Sequence, residues 1–245
     1  MISPALSARS TTQSSSLAGP LSGPALAAAE TWVFDLDNTL YPADCNLFAQ
    51  MDRRMGEFIA RQFEVDYDEA KRRQKGFFQS HGTTLRGLMV EHGLDPAAFL
   101  DYVHDIDLNV VQAQPLLGAA LDRLPGRKVV FTNGTVAHAE RVLNRLGIAD
   151  RFETLFDIVA SDYLPKPREE PYRKLLGNHR IRPEGAVMVE DMARNLVPAA
   201  ALGMTTVWVP TAAEWSKPDR PDDTAHIHHT APDLTVFLAG LTAAG

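Results

Sequence analysis

Two aspartates two positions apart, Asp35 and Asp37, follow the short apolar run Trp32-Val33-Phe34. A carboxylate at such a place can attack an electrophilic atom or hold a cation. The same Asp-x-Asp could equally cap the following turn through local hydrogen bonds. Three further clusters have the same double character. Thr132-Asn133-Gly134 offers a hydroxyl, an amide and a loosened backbone ahead of a helix, which suits a phosphate cradle and also an ordinary strand-to-helix turn. Lys166 stands between Pro165 and Pro167, which either aims its ammonium at an anion or leaves it on a stiff loop. Glu190-Asp191, with Asn195 one helical turn beyond, supplies carboxylates for a metal or for capping. Read together, the four clusters combine carboxylates, a hydroxyl and one cation. That set suits a hard divalent cation and a phosphoryl group.

The elements that must carry these residues alternate. Short apolar runs bounded by turn-formers predict buried parallel strands from Thr31 and at 128–132, 157–161, 186–190 and 205–209, with a weaker one at 225–229. Between them lie predicted helices at 135–146, 168–178 and 194–202. The first carries Val136, Ala139, Val142, Leu143 and Leu146 on one face, and Gly147 and Gly203 suit helix stops. Strand-helix alternation predicts an α/β fold, a Rossmann-like parallel sheet with helices on both faces. Ligands in such sheets bind at the carboxyl ends of the strands, where all four clusters fall.

The stretch 44–112 differs, because no strand-like run occurs in it. Leu47, Met51, Met55, Phe58, Ile59 and Phe63 form a helical stripe, and 68–79, 83–92 and 96–104 are further helices broken near Gly82 and Gly93. A helical domain at 44–112 is therefore expected to interrupt a core made of 31–43 and 113–245, with hinges at 41–44 and 109–115. Residues 1–30, rich in Ser, Ala, Gly and Pro, are expected to be a disordered extension.

Composition adds exclusions. With 31 acidic against 24 basic residues among 245, the net charge is −7, which argues against a nucleic-acid polymer as partner through a basic face. The single cysteine, Cys45, rules out an internal disulfide framework and a Cys-based zinc cluster, and fits a reduced, cytoplasmic setting. No run approaches the length of a membrane span, so no membrane partner is expected. His226, His228 and His229 read as a solvated edge rather than a metal site. Phe77, Phe78, Leu88 and Met89 suit packing first and the underside of the helical block second, and Cys45 reads as a small packed residue. Trp208 and Trp215 flank Pro210 with no role that the sequence separates.

Written out, the clusters are FDLDNTL (34–40), FTNG (131–134), PKP (165–167) and VEDMARN (189–195). In this order and spacing they resemble the haloacid dehalogenase-like (HAD) superfamily of phosphohydrolases, and the helical insert resembles that superfamily's C1-type cap. Tyr41-Pro42, the first cap helix and Val103-His104-Asp105-Ile106-Asp107 are similar to its pyrimidine 5′-nucleotidase group.

The resemblance implies roles. Asp35 is the nucleophile that forms an aspartyl-phosphate, and Asp37 is the acid that protonates the leaving oxygen and then activates water. Mg²⁺ is held by Asp35, the backbone carbonyl of Asp37 and Asp191, with Glu190 bound directly or through water. Thr132 and the Asn133 backbone N–H hold phosphate oxygens. Lys166 offsets negative charge, and Asn195 orients Lys166 or an acidic ligand. The implied substrate is a small-molecule phosphate ester, a pyrimidine nucleoside 5′-monophosphate first. The alternatives are a sugar-phosphate phosphatase or phosphomutase, or a phosphate- or nucleotide-binding protein without turnover. Asp37 and the metal set argue against carbon–halogen cleavage, since the dehalogenase branch lacks both.

Overall fold

In the structure, a computed structural model, residues 24–211 and 224–242 are described. Strands β1 (Thr31–Phe34), β2 (Arg127–Phe131), β3 (Thr154–Phe156), β4 (Ala186–Glu190), β5 (Thr205–Trp208) and β6 (His229–Thr230) form one sheet. All pair in parallel in the order β3-β2-β1-β4-β5-β6. The strand order reverses around β1, so the crevice beyond its carboxyl end is open for a ligand. β1 is fully buried, and its side chains alternate between the two faces. Trp32 and Phe34 join Val130, Val187, Val189 and Val207 on one side, while Val33 joins Val129, Phe131 and Met188 on the other.

The helices are α1 (Pro24–Ala27), α2 (Leu47–Phe63), α3 (Tyr67–His81), α4 (Thr84–His92), α5 (Pro96–Val103), α6 (Pro115–Arg123), α7 (Val136–Leu146), α8 (Glu169–His179), α9 (Ala193–Ala201) and α10 (Leu234–Thr242). Four of them, α2 to α5, form the helical block between β1 and β2. Their boundaries follow from short polar residues that accept the first free N–H groups: Asp66 from Glu69, Thr83 from Arg86 and Asp95 from Ala97. The block has its own core of Met51, Ile59, Ala70, Phe77, Leu85, Leu88, Phe99 and Val103. Phe77 and Leu88 thus pack as expected, and Cys45 packs half-buried against the sheet core.

Three expectations are corrected. Residues 157–161 form no strand; they are a turn, and β3 lies just before them. The Asp157 carboxylate accepts from Val136 and Ala160 N–H groups, while Ile158 is buried in the core of the helical block. A turn that buries an apolar residue under another layer has the same apolar signature as a strand. The strand expected at 225–229 is reduced to the pair His229–Thr230. Upstream, the His228 imidazole takes the Thr206 N–H and the His226 carbonyl takes the Thr206 hydroxyl, which displaces ladder bonds. The histidines are therefore built into the sheet edge rather than only solvated. Finally, the extension of 1–30 does not hold from Pro24 onward. Leu26 and Ala29 are buried, and Glu30 N–H donates to the Gly185 carbonyl. Residues 1–23 lie outside the described residues, as does Trp215.

Candidate active site

Register brings the clusters together. Phe34 pairs with Val130 on β2 and Val189 on β4, so the residues after these strands share one edge. The Asp35 N–H continues the ladder to the Val189 carbonyl at 2.9 Å, which places its carboxylate beside Glu190.

Lys166 crosses to that edge from the loop before α8. Its Nζ donates to Asp35 Oδ1 at 2.6 Å and to the Phe131 carbonyl at 2.9 Å, and lies 3.2 Å from Glu190 Oε1. The side chain is buried, and the Lys166 N–H donates to Asn133 Oδ1 at 2.9 Å. Asn133 thus fixes the loop that delivers the ammonium. Burial disfavours a charged lysine, but the Asp35 and Glu190 charges outweigh it and hold the Lys166 pKa above its ordinary value.

The carboxylates divide by what holds them. Thr39 Oγ1 donates to Asp35 Oδ2 at 2.9 Å. Glu190 Oε2 accepts the Asp191 N–H at 2.9 Å, and its Oε1 accepts from the Asn195 amide. Both Glu190 oxygens are therefore occupied by protein donors. Asp191 differs: its Oδ2 is buried with no hydrogen-bond partner, while Trp208 Nε1 anchors its carbonyl at 2.8 Å.

Oxygens of Asp35, Glu190 and Asp191 lie within 4.8 Å of one another. Burial first, then the neighbouring Glu190, push the Asp35 carboxyl up to about 8 and the Asp191 carboxyl well above its ordinary value. Three buried carboxylates against one ammonium are short of positive charge, and one of them has an orphaned oxygen. An all-oxygen set with that deficit fits a hard divalent cation such as Mg²⁺.

Thr132 is buried, and its Oγ1 accepts the Gly134 N–H at 2.9 Å, which shapes the turn after β2. Asp37 meets partners that its sequence position does not disclose. Its Oδ1 accepts from Tyr41 OH at 2.7 Å and from His138 Nε2 at 2.9 Å. Burial would raise the Asp37 carboxyl, but the adjacent His138 imidazole and the hydrogen bonds from His138 and Tyr41 outweigh it and hold it below its usual range. His138 was not among the expected site residues. Its spacing from Val142 and Leu146 does put it on the buried face of α7.

A cavity of about 750 Å³ opens over these groups, between the strand ends and the helical block. Phe48, Met51, Met55, Phe99 and Leu100 give it an apolar wall, and Asp52, Lys71 and Gln74 a polar corner. In that corner Lys71 Nζ donates to Asp52 at 2.7 Å and to Gln74 at 2.9 Å, while Gln74 donates to Asp52 at 2.7 Å. Across the cavity, the Arg194 guanidinium of α9 lies 4.2 Å over the Phe78 ring of α3. Phe78, expected first as packing, lines this space instead.

Known proteins share the pattern. Residues 30–203 match the haloacid dehalogenase-like hydrolase family. Phosphate metabolism protein 8 of Saccharomyces cerevisiae is 29% identical over 157 residues, which span 59% of this chain and 47% of that protein. The chain thus spans about half the length of the yeast relative. The glyceraldehyde 3-phosphate phosphatase of Pyrococcus furiosus is 27% identical over 195 residues, 71% of this chain and 78% of that one. In fold, CbbY from Rhodobacter sphaeroides, solved in complex with phosphate, superposes with a TM-score of 0.61 at 20% identity, over 87% of this chain and 99% of that chain.

Proposed function

The chain belongs to the haloacid dehalogenase-like hydrolase family, and from that premise we propose that it is a Mg²⁺-dependent phosphomonoesterase working through an aspartyl-phosphate. The observation that carries the reading is the buried Asp35–Lys166–Glu190 group, with the orphaned Asp191 oxygen beside it, at the floor of the cavity.

In this reading an Asp35 oxygen forms a bond to phosphorus as the bond to the leaving oxygen breaks. Asp37 gives that oxygen a proton. A phosphoryl group arriving beside Asp37 adds negative charge and so raises its proton affinity above that of the resting site. In the second half, Asp37 takes a proton from water, the water oxygen bonds to phosphorus, and the Asp35 carboxylate leaves. Lys166 offsets the charge that builds between nucleophile and phosphoryl oxygens. Thr132 and the Asn133 N–H hold those oxygens. Glu190 and Asn195, bonded to each other, keep Lys166 in place. Asp35, the Asp37 carbonyl and Asp191 would hold the cation, whose contribution is to neutralise and orient the phosphoryl group.

The substrate we favour is a pyrimidine nucleoside 5′-monophosphate. The apolar wall offers a planar base a face, and the Asp52–Lys71–Gln74 corner offers it hydrogen-bonding groups. Residues 44–112 serve as the cap that covers this chamber, and 31–43 with 113–245 as the catalytic core. A cytoplasmic setting goes with the same reading. A sugar-phosphate phosphatase is the second reading, favoured by the Pyrococcus relative, a glyceraldehyde 3-phosphate phosphatase.

Phosphate release should be measured across nucleoside monophosphates and sugar phosphates with Mg²⁺. Turnover of UMP or CMP, abolished by EDTA and by Asp35→Asn, is expected. Preference for triose or pentose phosphates would move the substrate to the second reading, and inertness toward the whole panel would sink the enzyme reading.

A further inference from the structure

One histidine used by none of these roles is bonded to the carboxylate that the phosphatase reading makes the acid. His138 is buried in the first turn of α7, with Nε2 2.9 Å from Asp37 Oδ1. Tyr41 OH reaches the same oxygen at 2.7 Å. Both donors converge on Oδ1, and among the described residues no hydrogen bond reaches Oδ2. Asp37 lines the cavity, so Oδ2 is the oxygen left for a ligand.

The imidazole has little freedom. Its Nδ1 is buried with no hydrogen-bond partner, so a hydrogen there would be an orphaned donor. The ring therefore carries its hydrogen on Nε2 and donates to Asp37. Behind it stacks His104, just past the end of α5, with centroids 4.4 Å apart and planes at 9°. His104 is held in turn by Thr135 Oγ1 at 3.3 Å from its Nδ1 and by Arg141, which donates to its carbonyl. The helical block thus supplies the back wall of a clamp whose front is the acid.

We propose that His138 is the positioning residue for Asp37: with Tyr41 it pins Oδ1 and dedicates Oδ2 to the proton that passes to the leaving oxygen. This rests on the phosphomonoesterase reading of the site. As the phosphorus–oxygen bond to the leaving group breaks, the proton on Oδ2 moves to that oxygen. In the second half, Oδ2 takes a proton from the attacking water. His138 exchanges no proton in either step; it fixes the rotamer from which Asp37 acts. A carboxyl free to rotate presents its proton in the wrong place for much of the time.

The test uses leaving-group dependence. His138→Leu, His138→Gln and Tyr41→Phe are assayed on p-nitrophenyl phosphate, whose phenolate departs without a proton. They are also assayed on the primary-alkyl phosphate that the wild-type protein hydrolyses fastest. For His138→Leu, kcat/KM on the alkyl ester, which reports the steps up to departure of the leaving group, is expected to fall about 10²-fold, and kcat/KM on the aryl ester less than about threefold. His138→Gln keeps an N–H donor and should recover about tenfold of the alkyl loss. Tyr41→Phe should show a smaller loss with the same bias. Equal losses of kcat/KM on both esters, or no loss on either, overturn the positioning role. Should His138→Leu fail to fold, the alkyl-to-aryl ratio in the other two variants decides by the same criterion. A wild-type protein inert toward both esters removes the phosphatase reading, and the positioning role with it.

Discussion

Lys166 Nζ lies 2.6 Å from Asp35 Oδ1, an ion pair between residues 131 positions apart in which neither side chain is more than 9% exposed. The pair is the only salt bridge among the described residues that joins the loop before α8 to the turn after β1, and Glu190 shares its ammonium.

Removing that ammonium should cost both fold and activity. Lys166→Met leaves three buried carboxylates without their cation, and breaking a buried pair costs roughly 3–5 kcal/mol. Turnover should fall by at least about 10²–10³-fold. Lys166→Arg should not rescue it, because a planar guanidinium cannot occupy a point-charge site walled by Phe131. Urea unfolding and steady-state rates check both parts, and a stable, active Lys166→Met protein would contradict the site.

Metal binding should be linked to pH through Asp35. Its carboxyl is held up to about 8 by burial and Glu190, against an ordinary 3.8. Between those values the metal-free folded protein keeps a proton that the unfolded chain has lost, so its stability falls as pH rises from about 4 to about 8. A divalent cation needs the deprotonated form and replaces that proton. The rise in Tm on adding Mg²⁺ is therefore expected to be larger at pH 8 than at pH 6, and to be mostly lost in Asp191→Asn. Equal shifts at the two pH values would count against this linkage.

His104 predicts the opposite slope at lower pH. Burial first, then the neighbouring His138, hold its imidazole down at about 3, against 6.5 in an exposed setting. Below about pH 6.5 the unfolded chain takes up a proton that the folded protein refuses. The stability present above that pH is then lost as pH falls toward about 3, at up to ~1.4 kcal/mol per pH unit. His104→Phe keeps a ring on His138 and should flatten the stability profile across that window. Denaturant midpoints at several pH values in wild type and variant test it; parallel profiles would assign the acid sensitivity elsewhere.

The Arg194–Phe78 contact joins the two sides of the cavity at 4.2 Å. A cation–π contact of this kind contributes on the order of 0.5–2 kcal/mol. Phe78→Ala should accordingly raise KM by about 2- to 30-fold for the preferred ester and leave kcat for p-nitrophenyl phosphate nearly unchanged. A fall in kcat with constant KM would show that the contact acts on the chemistry rather than on closure.

The core of the site was legible in the chain because of how parallel sheets are built. Each strand is buried on both faces, so it reads as a short apolar run, and the polar residues that end it must gather at one edge. Asp35, Thr132 and Glu190 stand at the ends of β1, β2 and β4 and were placed at that edge by the sequence, whereas Lys166 follows a turn rather than a strand and is brought there by its loop. The helical block was equally legible, since its apolar stripe repeats at 3.6 residues and its helices end at Gly82 and Gly93.

Tertiary structure decided what periodicity cannot carry. Periodicity tells which face of a helix is buried, not what it meets: His138 stands four residues before Val142, yet that spacing could not name Asp37, 101 residues away, as its partner. It could not divide Glu190 from Asp191 either. Adjacent acids differ only in which protein donors reach them, and here donors fill both Glu190 oxygens while Asp191 keeps an orphaned one. Nor could it tell the turn at 157–161 from a strand, because the residues that bury Ile158 come from the helical block far earlier in the chain. Burial and partner choice are properties of packing between distant segments, and only the folded chain brings those segments together.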